Sequence, residues 1–147
     1  MTRITFDEMK ATIKSAFLRA GMPEGKAEVC ARVHTESSRD GVYSHGLNRV
    51  ERFVDYIDKN LVDVHAEPTL EINLGAMEIY NGNMGPGILN AIFAMNRATE
   101  IAEKNGLGLV SLNNTTHCHY HPTNTYWPFE YKETLSVYHL FYRYRGI

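Results

Sequence analysis

Residues 85–112 read GPGILNAIFAMNRATEIAEKNGLGLVSL, and this stretch decides the fold. Ile88, Ile92, Met95, Ala98, Ile101 and Ala102 recur at helical steps and form one apolar stripe. Asn105-Gly106 supplies the left-handed stop that closes a helix, and Leu107 to Leu112 is a short apolar run of strand type. Upstream, Leu70, Ile72 and Leu74, then Met77, Ile79 and Tyr80, read as two short strands separated by Gly75 and ended by Asn81-Gly82-Asn83. The order strand, helix, strand predicts an α/β chain in preference to α+β.

The first third is helical. Thr5-Phe-Asp-Glu8 has the spacing of a capping box, and Phe6, Met9, Ile13, Phe17 and Ala20 place helix one over about residues 5–20, closed by Gly21. Pro23 suits the start of a second helix whose core face runs through Ala27, Cys30 and Val33 as far as Ser37-Ser38-Arg39-Asp40-Gly41. Ser44 is expected to cap a third, with Leu47, Val50, Phe53, Val54, Ile57 and Leu61 on its apolar side. Met9, Met77 and Met95 are expected in core positions.

Composition narrows the function classes. The 147 residues carry 15 Lys+Arg against 17 Asp+Glu, so no basic field invites nucleic acid. Neither the acidic start, MTRITFDEMK, nor any later run has the length of apolar residues that a signal peptide or a membrane span needs. A cytoplasmic protein without nucleic-acid or membrane partners is the expectation. Cys30 and Cys118 are too few for a disulfide framework and are expected as thiols.

Asp40-Gly-Val-Tyr-Ser-His-Gly-Leu-Asn-Arg49 is the segment that points to chemistry. With a helix starting near Ser44, His45 and Arg49 stand four residues apart on one face, where a proton donor and a carboxylate clamp would meet one small anion such as a 2-keto acid. The alternative is a solvated arginine beside a histidine that only satisfies a loop carbonyl. A charged imidazole at a helix start is disfavoured, a cost that a carboxylate such as Asp40 would offset.

Gly-Val-Tyr-Ser-His-Gly-Leu-Asn-Arg, followed by Arg52-Phe53, resembles the signature of the malate/L-lactate dehydrogenase family, outside the Rossmann group. The likeness extends through Thr5-Phe-Asp-Glu-Met-Lys10, residues 68–80, and Ala102-Glu-Lys-Asn-Gly-Leu-Gly-Leu-Val-Ser-Leu-Asn-Asn114, covering residues 1–117. The resemblance implies NAD(P)H-dependent reduction of a 2-keto acid or diketo sugar acid by a cytosolic homodimer. It implies His45 as proton donor, Ser44 and Arg49 as substrate-pocket residues, and His117 as the counterpart of a second family histidine. Family members are about twice as long, which implies that most cofactor-binding segments are missing from this chain. No Gly-x-Gly-x-x-Gly element replaces them, and Gly85-Pro-Gly87 alone does not make a phosphate cradle.

From His117 onward the composition changes: nine of sixteen aromatics, four of seven histidines, no alanine and one glycine fall in the last 31 residues. The expected organisation is therefore residues 1–116 as the N-terminal part of a dehydrogenase-like enzyme and 117–147 as a tail foreign to the family. A frameshift or a truncated gene accounts for such a break and would leave the chain inactive. The competing reading is a non-catalytic fragment or small metal-binding protein. His117-Cys-His-Tyr-His121 offers three imidazoles and a thiol, yet lacks the second ligand pair usual in structural zinc sites.

Overall fold

The computed structural model describes residues 4–116 and the strand at 136–141. They fall into two compact units, residues 4–65 and residues 66–116 with 136–141.

The first unit holds three helices: α1 (Phe6–Arg19), α2 (Glu24–Arg39) and α3 (Leu47–Asp58). The predicted capping box opens α1, with the Glu8 amide donating to Thr5 Oγ1 at 3.3 Å and the Thr5 amide donating to Glu8 Oε2 at 3.0 Å. Ile13 and Phe17 carry the buried stripe of α1, and Ala27, Cys30, Ala31 and Val33 that of α2. The buried face of α2 then continues through polar residues, His34 to Ser38. The third helix starts later than the sequence predicts. Its N-cap is Gly46 rather than Ser44, and it ends at Asp58, before Leu61.

The second unit is built on a four-stranded sheet in the order β1 (Thr69–Asn73), β2 (Met77–Asn81), β3 (Leu107–Asn113), β4 (Ser136–Phe141), with α4 (Gly87–Asn105) between β2 and β3. β1 and β2 are antiparallel, and β2, β3 and β4 run parallel. The β2-α4-β3 crossover is the α/β arrangement that residues 85–112 predict. Gly106 closes α4 with φ of 76°, the left-handed conformation expected of it. β4 lies in the segment where the sequence shows no sustained period; its β-branched and aromatic residues suit a strand.

One face of this sheet packs on α4. Tyr80, Val110 and Leu112 meet Ala94, Ala98 and Ile101, and Phe93 lies edge-on to Tyr80 with ring centroids 4.9 Å apart. Gly108 admits the helix: a Cβ there would stand 1.9 Å from the Ala98 carbonyl oxygen. Three methionines expected in the core are not fully buried. In β2 the residues turned to the helix are Glu78 and Tyr80, so Met77 is only half-buried, as are Met9 and Met95. β1 forms where the sequence places a strand, and its Leu70 and Ile72, with Leu74 just beyond, are about half or more exposed. A bulge between Leu70 and Ile72 shifts the pairing and puts Asn73 opposite Glu78.

Candidate active site

The residues predicted to carry chemistry sit on a tight turn between α2 and α3. Gly41 N donates to Ser38 O at 3.2 Å and Val42 N to Ser37 O at 2.9 Å, folding the chain back over the end of α2. His45 N and Gly46 N then both donate to Val42 O, at 3.0 and 3.1 Å. Ser38 holds the far side: its Oγ accepts from Leu47 N at 2.8 Å and donates to His34 O at 3.1 Å. Gly46 is required there, because a Cβ would lie 2.1 Å from Ser38 Oγ and 2.8 Å from the Ser38 backbone nitrogen.

This turn changes the geometry expected of the site. Ser44 and His45 precede α3, whereas Arg49 lies within it, so His45 and Arg49 do not share a helix face. The charges of both His45 and Arg49 act on the buried imidazole of His34. Ser44 Oγ stands 2.8 Å from His45 Nδ1, so the serine engages the histidine itself. Ser44 is exposed, and His45 and Arg49 are half-exposed. Asp40, the carboxylate expected to offset a charged His45, caps α2 and accepts from Arg39 Nε at 3.0 Å.

His34 was not legible as part of this site. Its Nδ1 lies 2.9 Å from the carbonyl oxygen of His45, and its ring is flanked by Phe17 and Phe53 at centroid distances of 5.7 and 6.1 Å. A carbonyl only accepts, so Nδ1 carries the proton and Nε2 is a bare lone pair. That Nε2 is buried with no hydrogen-bond partner among the described residues. Burial pushes the imidazole down to about 4, opposed by the carbonyl hydrogen bond and assisted by the charges of Arg49 and His45. The signal in the sequence was spacing: His34 and Ser38 stand four and eight residues after Cys30, so the core stripe of α2 runs on into them.

A second polar constellation belongs to the other unit. The fully buried Glu78 accepts from Arg97 Nε and Nη2, both at 2.7 Å, from Tyr80 Oη at 2.8 Å and from Asn73 Nδ2 at 2.9 Å. Arg97 holds this carboxyl below the usual carboxylate range. Every lone pair is used, which marks a structural tie between β2 and α4.

His117, Cys118, His119 and His121 lie outside the described residues. Among the described residues no group of three metal-ligating side chains is arranged to hold an ion, and no helix is long and apolar enough to cross a membrane. The start of α4 does not fit a nucleotide phosphate. The Gly87 amide donates to Thr116 Oγ1 at 2.9 Å, and Asn90 fills the space beside Gly82 and Gly85.

A family model described as malate/L-lactate dehydrogenase matches residues 4–124. Among curated proteins, the 2,3-diketo-L-gulonate reductases of Mannheimia succiniciproducens and Pasteurella multocida are each 36% identical over 115 residues, which is 78% of this chain and 35% of theirs. The chain thus spans about a third of the length of these relatives. Among solved structures, malate dehydrogenase from Pyrococcus horikoshii superposes with a TM-score of 0.75 at 27% identity, covering 79% of this chain and 33% of that one. Sulfolactate dehydrogenase from Methanocaldococcus jannaschii gives 0.73 at 23% identity, covering 78% and 33%, and shares the fold.

Proposed function

The chain belongs to the malate/L-lactate dehydrogenase family, and from that membership we propose that it supplies the proton-donating and carboxylate-binding part of an NAD(P)H-dependent reductase acting on a 2-keto acid or diketo sugar acid. The observation that carries the proposal is the 2.8 Å contact between Ser44 Oγ and His45 Nδ1 on a turn anchored on both sides.

Reduction of a ketone places negative charge on its oxygen, and a positioned acid that protonates this oxygen lowers the barrier. In the imidazolium form of His45, Nδ1–H donates to Ser44 Oγ and Nε2–H is the proton delivered. After delivery the neutral ring keeps Nδ1–H, so the contact with Ser44 survives and the ring need not reorient. Arg49, at the first turn of α3, pairs with the substrate carboxylate, with a fork of N–H donors suited to a bidentate grip. Ser44 lies within the same turn, where a substrate oxygen is its second partner.

A nicotinamide cofactor supplies the hydride in such a reaction. The Gly87 amide is taken by Thr116 and Asn90 fills the space beside Gly82 and Gly85, which supports a reading in which residues 4–116 serve substrate binding and proton transfer and the cofactor is held elsewhere. His117 is proposed as a further site residue, and a homodimer as the assembly, both on family likeness. The organisation into residues 1–116 and a distinct tail at 117–147 is likewise a proposal, resting on composition.

The test is oxidation of NADH and of NADPH by the full chain with 2,3-diketogulonate and with pyruvate, before and after His45→Gln. Turnover that falls by about a hundredfold or more in the variant, with an unchanged melting curve, supports the proton-donor role. Turnover that survives the substitution refutes it.

A further inference from the structure

We propose that His34 is the positioning residue of this site: its Nδ1–H grips the carbonyl of His45 and thereby holds the Ser44–His45 contact in register. The proposal rests on the reading of His45 as proton donor and deepens it.

Backbone amides fix the turn on its N–H side, where Val42 O receives both His45 N and Gly46 N. On its other side the carbonyl of His45 meets a side chain, the imidazole of His34, at 2.9 Å. Locking a carbonyl fixes the peptide plane between His45 and Gly46, and so the direction in which the imidazole leaves its Cα. Ser38, one turn further along α2, secures the next peptide group, between Gly46 and Leu47, through Leu47 N. Two side chains on one face of α2 therefore hold consecutive peptide groups of the turn.

The choice of histidine argues for this role over packing. Between Phe17 and Phe53 the space is aromatic, and a phenylalanine would fill it without burying a polar atom. The imidazole instead carries a buried Nε2 with no partner among the described residues, at 4% exposure. An orphaned buried acceptor costs free energy, and the compensating interaction is the one at Nδ1. His34 meets no substrate in this arrangement. It acts through the backbone of His45.

The test compares His34→Phe, which keeps the ring and removes the donor, with His34→Asn, whose amide N–H takes the place of Nδ1. The measurement on the full chain is the nitrogen NMR of its histidine rings, with His45 assigned from the His45→Gln spectrum. We expect the His45 ring signals to shift and broaden in the Phe variant and to return in the Asn variant. Where keto-acid reduction is present, kcat falls about tenfold in the Phe variant with KM little changed, and recovers in the Asn variant. If the Phe variant does not fold, His34→Gln takes its place, because its amide lies one bond further out and misses the carbonyl. Unchanged His45 signals in a folded Phe or Gln variant overturn the proposal, as does a folded Asn variant that fails to restore them. If the unaltered chain does not reduce keto acids, its reading as a self-sufficient reductase falls, while the ring signals still decide the role of His34.

Discussion

Arg97 on α4 reaches Glu78 on β2 with two nitrogens, each 2.7 Å from a different carboxylate oxygen. The pair is unequal: Glu78 is 1% exposed and Arg97 about a third, so the arginine neutralises a charge that water does not reach.

Removing the exposed partner strands the buried one. Arg97→Ala is expected to destabilise the second unit by about 3 kcal/mol, read from urea unfolding at neutral pH. Replacing both residues, as Glu78→Gln with Arg97→Met, costs less than the single arginine substitution, because no unpaired charge remains. A double variant less stable than Arg97→Ala would show that the pair itself, and not the stranded carboxylate, carries the stability.

The second prediction follows from burial of His34. Its folded-state value of about 4 lies below the ordinary 6.5, so between these values the unfolded chain binds the proton more readily than the folded one. The contribution to stability is fully present above pH 6.5 and is lost as pH falls toward 4. Over that window the loss amounts to roughly 3 kcal/mol. Unfolding midpoints measured at several pH values should show the loss in the unaltered chain and a shallower one in His34→Phe.

Gly46→Ala is predicted to dislodge the turn. The added Cβ meets Ser38 backbone atoms at 2.8 and 2.9 Å, which cannot rotate away as the hydroxyl can. The expected cost is about 1–3 kcal/mol in thermal or urea unfolding. The Ser44–His45 contact should loosen with it, seen as a change in the His45 ring signals. Gly108→Ala, with its Cβ 1.9 Å from the Ala98 carbonyl, is expected to cost at least as much while leaving those signals unmoved.

Arg49→Lys separates binding from proton transfer. A lysine keeps the charge and loses the planar fork, so KM for a 2-keto acid should rise roughly 10- to 100-fold, the worth of one hydrogen bond to a charged group. Little change in kcat is expected, because the carboxylate is held equally in ground and transition states. A fall in kcat with unchanged KM would remove Arg49 from the carboxylate role.

The sequence by itself determined the four helices, the first three strands and their class, and left β4 unread. The capping box at Thr5 and Glu8, the stripes of α1 and α4 and the left-handed stop at Gly106 are local patterns, written in neighbouring residues and independent of what packs on them. The Ser44-His45-Gly46 motif and Arg49 could be picked out as a candidate site for the same reason, and the family likeness they carry is matched over residues 4–124. Tertiary structure decided where α3 begins, because the close approach of Gly46 to Ser38 forms only when α2 lies against the turn. It also decided which face of β2 is core. Met77 and Ile79 are the more apolar choice, but the registry with α4 buries Glu78 and Tyr80, and Arg97 makes that burial tolerable. His34 shows the same limit most plainly. Its spacing on α2 marks a core position, whereas its partner is a carbonyl eleven residues away, and pairings between distant residues are set by packing rather than by local pattern.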